Sequence, residues 1–328
     1  MNFIMDFLNS GTAKQQKQKK LGALLICITA ALLAVALIVL AVVGIATAIK
    51  NKQMEEEEAN NPKSKIPSDY VQAAPMDTYG RTDLLLLLSA GNGYKGAAPT
   101  VKPESNLRAK VDNVDLYRGE HESIYLTQET LDQFNAMMLA FHDAKNGTDG
   151  YGIGNVWLDG PSSVTSVEAL SADTREILKS GTALILCYQQ KGTHNDEVSI
   201  NGMETYEWFY ENAHLYGFIQ ASSVEGEEHI FRYVGVVHAK AMKSLEKKTV
   251  ADYVAYLKEK TSAESRKTVS VAGENNKNVQ YEVYYIAADV ETKWVPDASV
   301  YDYTISSDNE GGYIIAATKK VAQKNNAA

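Results

Sequence analysis

At 328 residues, with 45% hydrophobic and 22% charged side chains, the chain is long enough for a membrane segment plus a domain with a sizeable core. Its net charge of −9 is uneven: residues 1–50 hold five Lys and one Asp, which leaves 27 basic against 40 acidic residues in the remainder. That acidity argues against nucleic acid as a partner, and two cysteines, Cys27 and Cys187, are too few for a Cys-rich zinc fold or a disulfide-stapled scaffold.

In chain order, the first predicted element is apolar. Leu21 to Ile49 is 29 residues without a charge, where about 20 suffice to cross the hydrocarbon of a bilayer. It is too long for the roughly 7–15-residue apolar region of a secretory signal, although Ala46-Thr47-Ala48 resembles a cleavage site, so removal of the anchor stays open. Lys14, Lys17, Lys19 and Lys20 precede it, and Glu55 to Glu58 follow soon after. The basic bias places the N-terminus in the cytoplasm and everything after residue 50 outside it.

From Asn51 to about Pro103 the chain is polar and broken by prolines, apart from Leu84 to Leu88; it reads as a stalk with one docked strand or helix. Thr127 is placed to cap a helix whose Leu131, Phe134, Met138 and Phe141 share a face, with His142 at its end exposed to solvent. Ser166 to Ile177 and Glu204 to Tyr216 read as further helices, the latter ended by Gly217. Thr182 to Cys187 and Ile230 to Val237 are rich in β-branched and aromatic residues and read as strands of an antiparallel sheet. Val250, Tyr253, Val254 and Leu257 give another amphipathic helix. Thr268 to Val271, Val279 to Ala287 and Tyr313 to Ala317 are predicted strands, with Gly273 to Asn276 as a turn.

Two segments carry a family resemblance: Trp208-Phe-Tyr-Glu-Asn-Ala-His-Leu-Tyr-Gly-Phe-Ile219 and Phe231-Arg-Tyr-Val-Gly-Val-Val-His-Ala239. Together they resemble the closing half of a VanY-type zinc D-alanyl-D-alanine carboxypeptidase. Tyr253 to Leu257 and Ser306 to Ile314 are similar to the tail that often follows this domain, and the likeness covers about residues 115–317. The resemblance implies an α+β fold, an antiparallel sheet with packed helices, preceded here by one transmembrane helix and followed by a small β-rich appendage. The expected organisation is a cytoplasmic tail at 1–20, a membrane helix at 21–49, a stalk at 50–110, the carboxypeptidase-like domain at 111–245 and the appendage at 246–320. The implied location is a bacterial cell membrane, with the domain on the cell-wall side.

Family members hold zinc with a His and an Asp from one motif and a second His just before the Phe-Arg-Tyr-Val-Gly run, with a Glu three residues ahead of that His as base. The chemistry needs imidazole and carboxylate donors that leave a position open for water. Here the positions that match are Leu178, Ile185 and Ile230, while Glu227 keeps the place of the base. The position of the substrate-gripping arginine corresponds to Ser162 within Asp159-Gly-Pro-Ser-Ser163, and residues 155–187 contain no histidine. His229 is one residue out of register, which on a strand turns it to the opposite face.

The expectation is a pseudoenzyme without zinc or another cofactor. Leu178, Ile185 and Ile230 would fill the former metal pocket, each contributing about 1.5–3 kcal/mol by burial. Its expected partners are the membrane and either a cell-envelope protein or a peptidoglycan peptide. The alternative is an active zinc D,D-carboxypeptidase with a displaced site drawn from His194, Asp196, His214, His229 or His238. The chain has no Gly-rich phosphate loop, His-Glu-x-x-His or Gly-x-Ser-x-Gly motif.

Overall fold

The computed structural model describes residues 66–76, 79–119, 124–145, 156–159, 170–189, 197–200, 202–272 and 278–320. The apolar segment Leu21 to Ile49 and Ser162 lie outside them, as do His194, Asp196 and the turn at Gly273 to Asn276. No helix among the described residues is long and apolar enough to cross a membrane.

Strand β1 is Tyr70–Gln72, β2 and β3 (Lys110–Val111, Val114–Asp115) form a tight hairpin, and β4 is Arg118–Gly119. Helix α1, Gln128–Lys145, begins where expected, because the Thr127 hydroxyl accepts the Thr130 backbone N–H at 3.2 Å. Its Leu131, Phe134, Met138 and Phe141 are all buried. His142 at its end is only half-buried rather than solvated, with Nδ1 3.2 Å from Asp143 Oδ1.

Strand β5 is Val156–Asp159, and α2 runs over Ala172–Lys179. Ser171 is its N-cap and accepts the Thr174 N–H at 3.3 Å. The helix includes Leu178, while residues 166–169 of the predicted span lie outside the described residues.

Then come β6 (Ala183–Gln189), β7 (Glu197–Ser199) and the short helix α3 (Glu207–Asn212) between two 3-10 turns, Glu204–Tyr206 and Ala213–Tyr216. Gly217 ends that stretch at φ 85°, and a Cβ there would come within 2.5 Å of the Tyr233 ring.

Strands β8 (Phe218–Gln220) and β9 (Ile230–Tyr233) follow. The predicted strand over Ile230 to Val237 stops at Tyr233. Gly235, at φ 85°, breaks the extended backbone, and Val236–Ser244 forms helix α4 despite its β-branched start. Helix α5 is Val250–Lys260, capped by Thr249. The chain closes with β10 (Lys267–Ala272), β11 (Asn278–Ile286), β12 (Trp294–Pro296), β13 (Tyr301–Ser307) and β14 (Tyr313–Lys319).

The main sheet has the order β4-β5-β6-β9-β8, with β7 also on β6; it is antiparallel except between β4 and β5. A second, antiparallel sheet has the order β10-β11-β14-β13, and β1 pairs with β12.

Side-chain alternation splits the two central strands between two layers. Leu184, Leu186, Phe231 and Tyr233 enter the core beneath α1, where Phe134 packs edge-on to Tyr117 at 4.8 Å. Ala183, Ile185 and Ile230 face a separate apolar layer.

The stretch from Ile66 to residue 110 is docked along much of its length: Tyr70 pairs with Pro296, Thr82 bridges Ser306, and Leu85, Leu86 and Leu88 are buried. Its prolines break helices, but its leucines still find a core. The appendage packs on α4, since Ala239, Ala241 and Met242 share one core with Val254, Leu257, Val283 and Ile314.

Candidate functional site

Ile185 and Ile230 are register partners across β6 and β9, which brings their side chains together on one face of the sheet. Leu178 reaches the same place from α2. The α2–β6 connection turns through Ser180 and Gly181, the latter at φ 69°; a Cβ on Gly181 would stand 2.4 Å from Pro99. Leu178, Ile185 and Ile230 are 1%, 3% and 0% exposed and form one cluster with Ile177, Ala183, Leu86 and Leu88.

Leu86 and Leu88 belong to a strap, residues 82–94, that crosses this face. The buried Arg232, register partner of Ala183, donates from Nη2 to the backbone oxygens of Leu84 (3.0 Å) and Leu86 (2.9 Å). Burial lowers its guanidinium pKa to about 10, so it stays charged at neutral pH.

On one side the strap is held by the C-terminal sheet, where Ser306 Oγ accepts Leu85 N–H and the Asp308 carbonyl accepts Leu87 N–H, each at 3.0 Å. On the other side α2 holds it: Asp173 accepts Ala90 N–H at 2.8 Å and Glu176 accepts Tyr94 N–H at 3.2 Å.

Glu227 is buried beside the start of α2. Its carboxylate accepts the Ser171 N–H and the Thr174 hydroxyl, each at 2.5 Å, and the Ser171 hydroxyl at 3.1 Å. Burial pushes its pKa up, but the Ser171 backbone bond and the hydroxyls of Ser222, Thr174 and Ser171 outweigh that and hold it below the usual carboxylate range. A carboxylate tied down in this way, next to the positive end of a helix, anchors structure and is a weak proton acceptor.

The other candidate donors are dispersed. His238 is buried on α4, with Nδ1 3.1 Å from the Tyr253 hydroxyl. His214 lies in the 3-10 turn before β8. His229 lies in the turn that precedes β9, and its backbone oxygen bonds Leu186 N–H. Among the described residues no three His, Cys, Asp or Glu side chains converge as metal ligands do.

Zinc does not fit the residues at the three matched positions: hydrocarbon at Leu178, Ile185 and Ile230 offers no lone pair. The sequence pointed to a docked element at Leu84 to Leu88 but not to Arg232 as its anchor. The one available signal was the apolar run Leu84 to Leu88 inside a polar stretch.

With this geometry in view, the mixed helix-and-sheet fold is similar to that of a solved D,D-dipeptidase. A matching solved structure is the vancomycin resistance D,D-dipeptidase VanXYg, in complex with a D-Ala-D-Ala phosphinate analog. It superposes with a TM-score of 0.53 at 15% identity, covering 76% of this chain and 98% of that one. No protein-family model and no curated protein matches the chain.

Proposed function

We propose that the protein is a membrane-anchored, extracytoplasmic pseudoenzyme of the VanY type, a peptidase-like domain that binds a cell-envelope partner instead of cleaving peptides. One observation supports this most: the three positions that match the family's zinc ligands are packed together as buried hydrocarbon beneath the chain's own strap. Stranding polar donors in a closed layer would cost free energy that aliphatic side chains avoid. With Glu227 committed to Ser171 and Thr174, neither a metal-bound water nor a free base is available on this face.

A face filled by Leu86 and Leu88 leaves little room for a stem peptide, which favours a protein partner elsewhere on the surface. The test is release of D-alanine from a peptide ending in D-Ala-D-Ala, by the full chain in detergent with added zinc. No release above background is expected. Turnover abolished by Glu227→Ala would establish instead an active zinc D,D-carboxypeptidase.

A further inference from the structure

Strand β8 ends the main sheet. Ala221 N–H bonds the Ile230 carbonyl and the Gly217 carbonyl accepts Val234 N–H, both at 2.8 Å. Backbone groups alternate along a strand, so those of Phe218 and Gln220 point away from β9; Phe218 is fully buried and Gln220 is exposed. Beside this edge opens a cleft of about 770 Å³, between the turn carrying Tyr210 and His214 and the C-terminal end of α4. That volume is in the usual range for a ligand site. Phe209, Phe231 and Met242 are among its apolar lining, and Leu215 and Val224, 43% and 47% exposed, lie next to lining residues.

The rim is basic in an acidic chain. Lys240, Lys243, Lys247 and Lys248 fall within nine residues that contain one acid, Glu246. None of the four takes part in an ion pair among the described residues. Lys243, Lys247 and Lys248 line the cleft with Glu228 and Glu246. Burial, then the charges of Lys243 and Lys240, depress the His214 pKa, a sign that positive potential is concentrated here.

We propose that this cleft binds an extended, acidic segment of a partner protein, which meets the exposed backbone of β8 at Gln220 and sets its carboxylates among Lys243, Lys247 and Lys248. Backbone bonds to Gln220 and contact with the apolar lining would supply affinity, and the lysines would supply the choice of partner. The idea rests on the binding role above only in taking the partner to be protein. The two are separable, since the assay below contains no D-Ala-D-Ala substrate.

The experiment uses the full 328-residue chain in nonionic detergent micelles and a fluorescently labelled octapeptide of alternating Val and Glu. Saturable binding by anisotropy is expected, weakened at least tenfold in the Lys243→Glu/Lys247→Glu/Lys248→Glu variant. Bound peptide should also slow amide hydrogen exchange at Gln220. The proposal is overturned by absent saturation, or by binding that the triple variant leaves unchanged. It is equally overturned if inorganic polyphosphate displaces the peptide and exchange at β8 never changes, because the site would then be a charged surface and nothing more.

Discussion

Ile185 and Ile230 stand opposite each other in the antiparallel pairing of β6 and β9, each almost wholly shielded from solvent. Their contact joins the two central strands on the face that the strap covers, and Leu178 closes the third side.

Truncating a buried aliphatic removes its transfer free energy and leaves a cavity. Ile230→Ala is expected to cost about 2–5 kcal/mol in urea unfolding, and Ile185→Ala a similar amount. Because the two share one void, the double variant should lose less than the sum of the single losses. A loss below about 1 kcal/mol for Ile230→Ala would mean that this layer is not packed as described.

The carboxylate of Glu227 has a folded pKa below its unfolded value. Its contribution to stability is therefore fully present above the unfolded carboxylate range and is lost as pH falls through the folded pKa. Glu227→Gln should remove about 1–3 kcal/mol at neutral pH and flatten the acid limb of the melting profile. Equal melting temperatures for wild type and variant at pH 7 would refute the anchoring role.

Arg232 Nη2 is the donor that fixes Leu84 and Leu86 to the sheet. Arg232→Met keeps much of the volume but leaves both carbonyls without that donor, a change worth about 1–3 kcal/mol. The main sheet should persist, while the Leu85 and Leu87 amides, now bonded to Ser306 Oγ and the Asp308 carbonyl, exchange faster. Unchanged exchange at both amides would show that the strap does not depend on Arg232.

Much of this architecture was legible from periodicity and punctuation. The Leu131, Phe134, Met138, Phe141 stripe marked α1, Thr249 marked the start of α5, and Gly217 marked a C-terminal cap, because each is a local signal. The expected clustering of Leu178, Ile185 and Ile230 is seen, because the Gly181 turn folds α2 back beside β6.

Other features depend on contacts far apart in sequence. Val236 and Val237 favour strands by composition, but Gly235 redirects the chain and the core shared with Tyr253 and Leu257 accepts a helix. The docking of Leu84 to Leu88 was legible but its attachments were not, because Ser306, Asp308 and Arg232 lie about 140 to 220 residues downstream. Strand β13 went unpredicted: its alternating pattern is diluted by Asp302, Thr304, Ser306 and Ser307, and Ser306 is buried because it bonds the strap.

Burial lowers the His238 pKa from 6.5 to about 4, so the imidazole beside Tyr253 is neutral in the folded chain at pH 5–6. The unfolded chain binds that proton first. Stability from this residue is full above about pH 6.5 and is lost as pH falls towards about 4, roughly 3 kcal/mol in total. His238→Gln should flatten the difference between melting at pH 6.5 and pH 4.5, compared with wild type. Parallel profiles would show that His238 titrates normally.

The central claim is that the face built from Leu178, Ile185 and Ile230 has no means of holding a metal ion. Equilibrium dialysis of the full chain against zinc at neutral pH, followed by metal analysis, tests it most directly. The account predicts no stoichiometric zinc, and the same trace content after Ile230→Ala. One tightly retained zinc ion per chain, lost on changing Glu227 or His229, would contradict it.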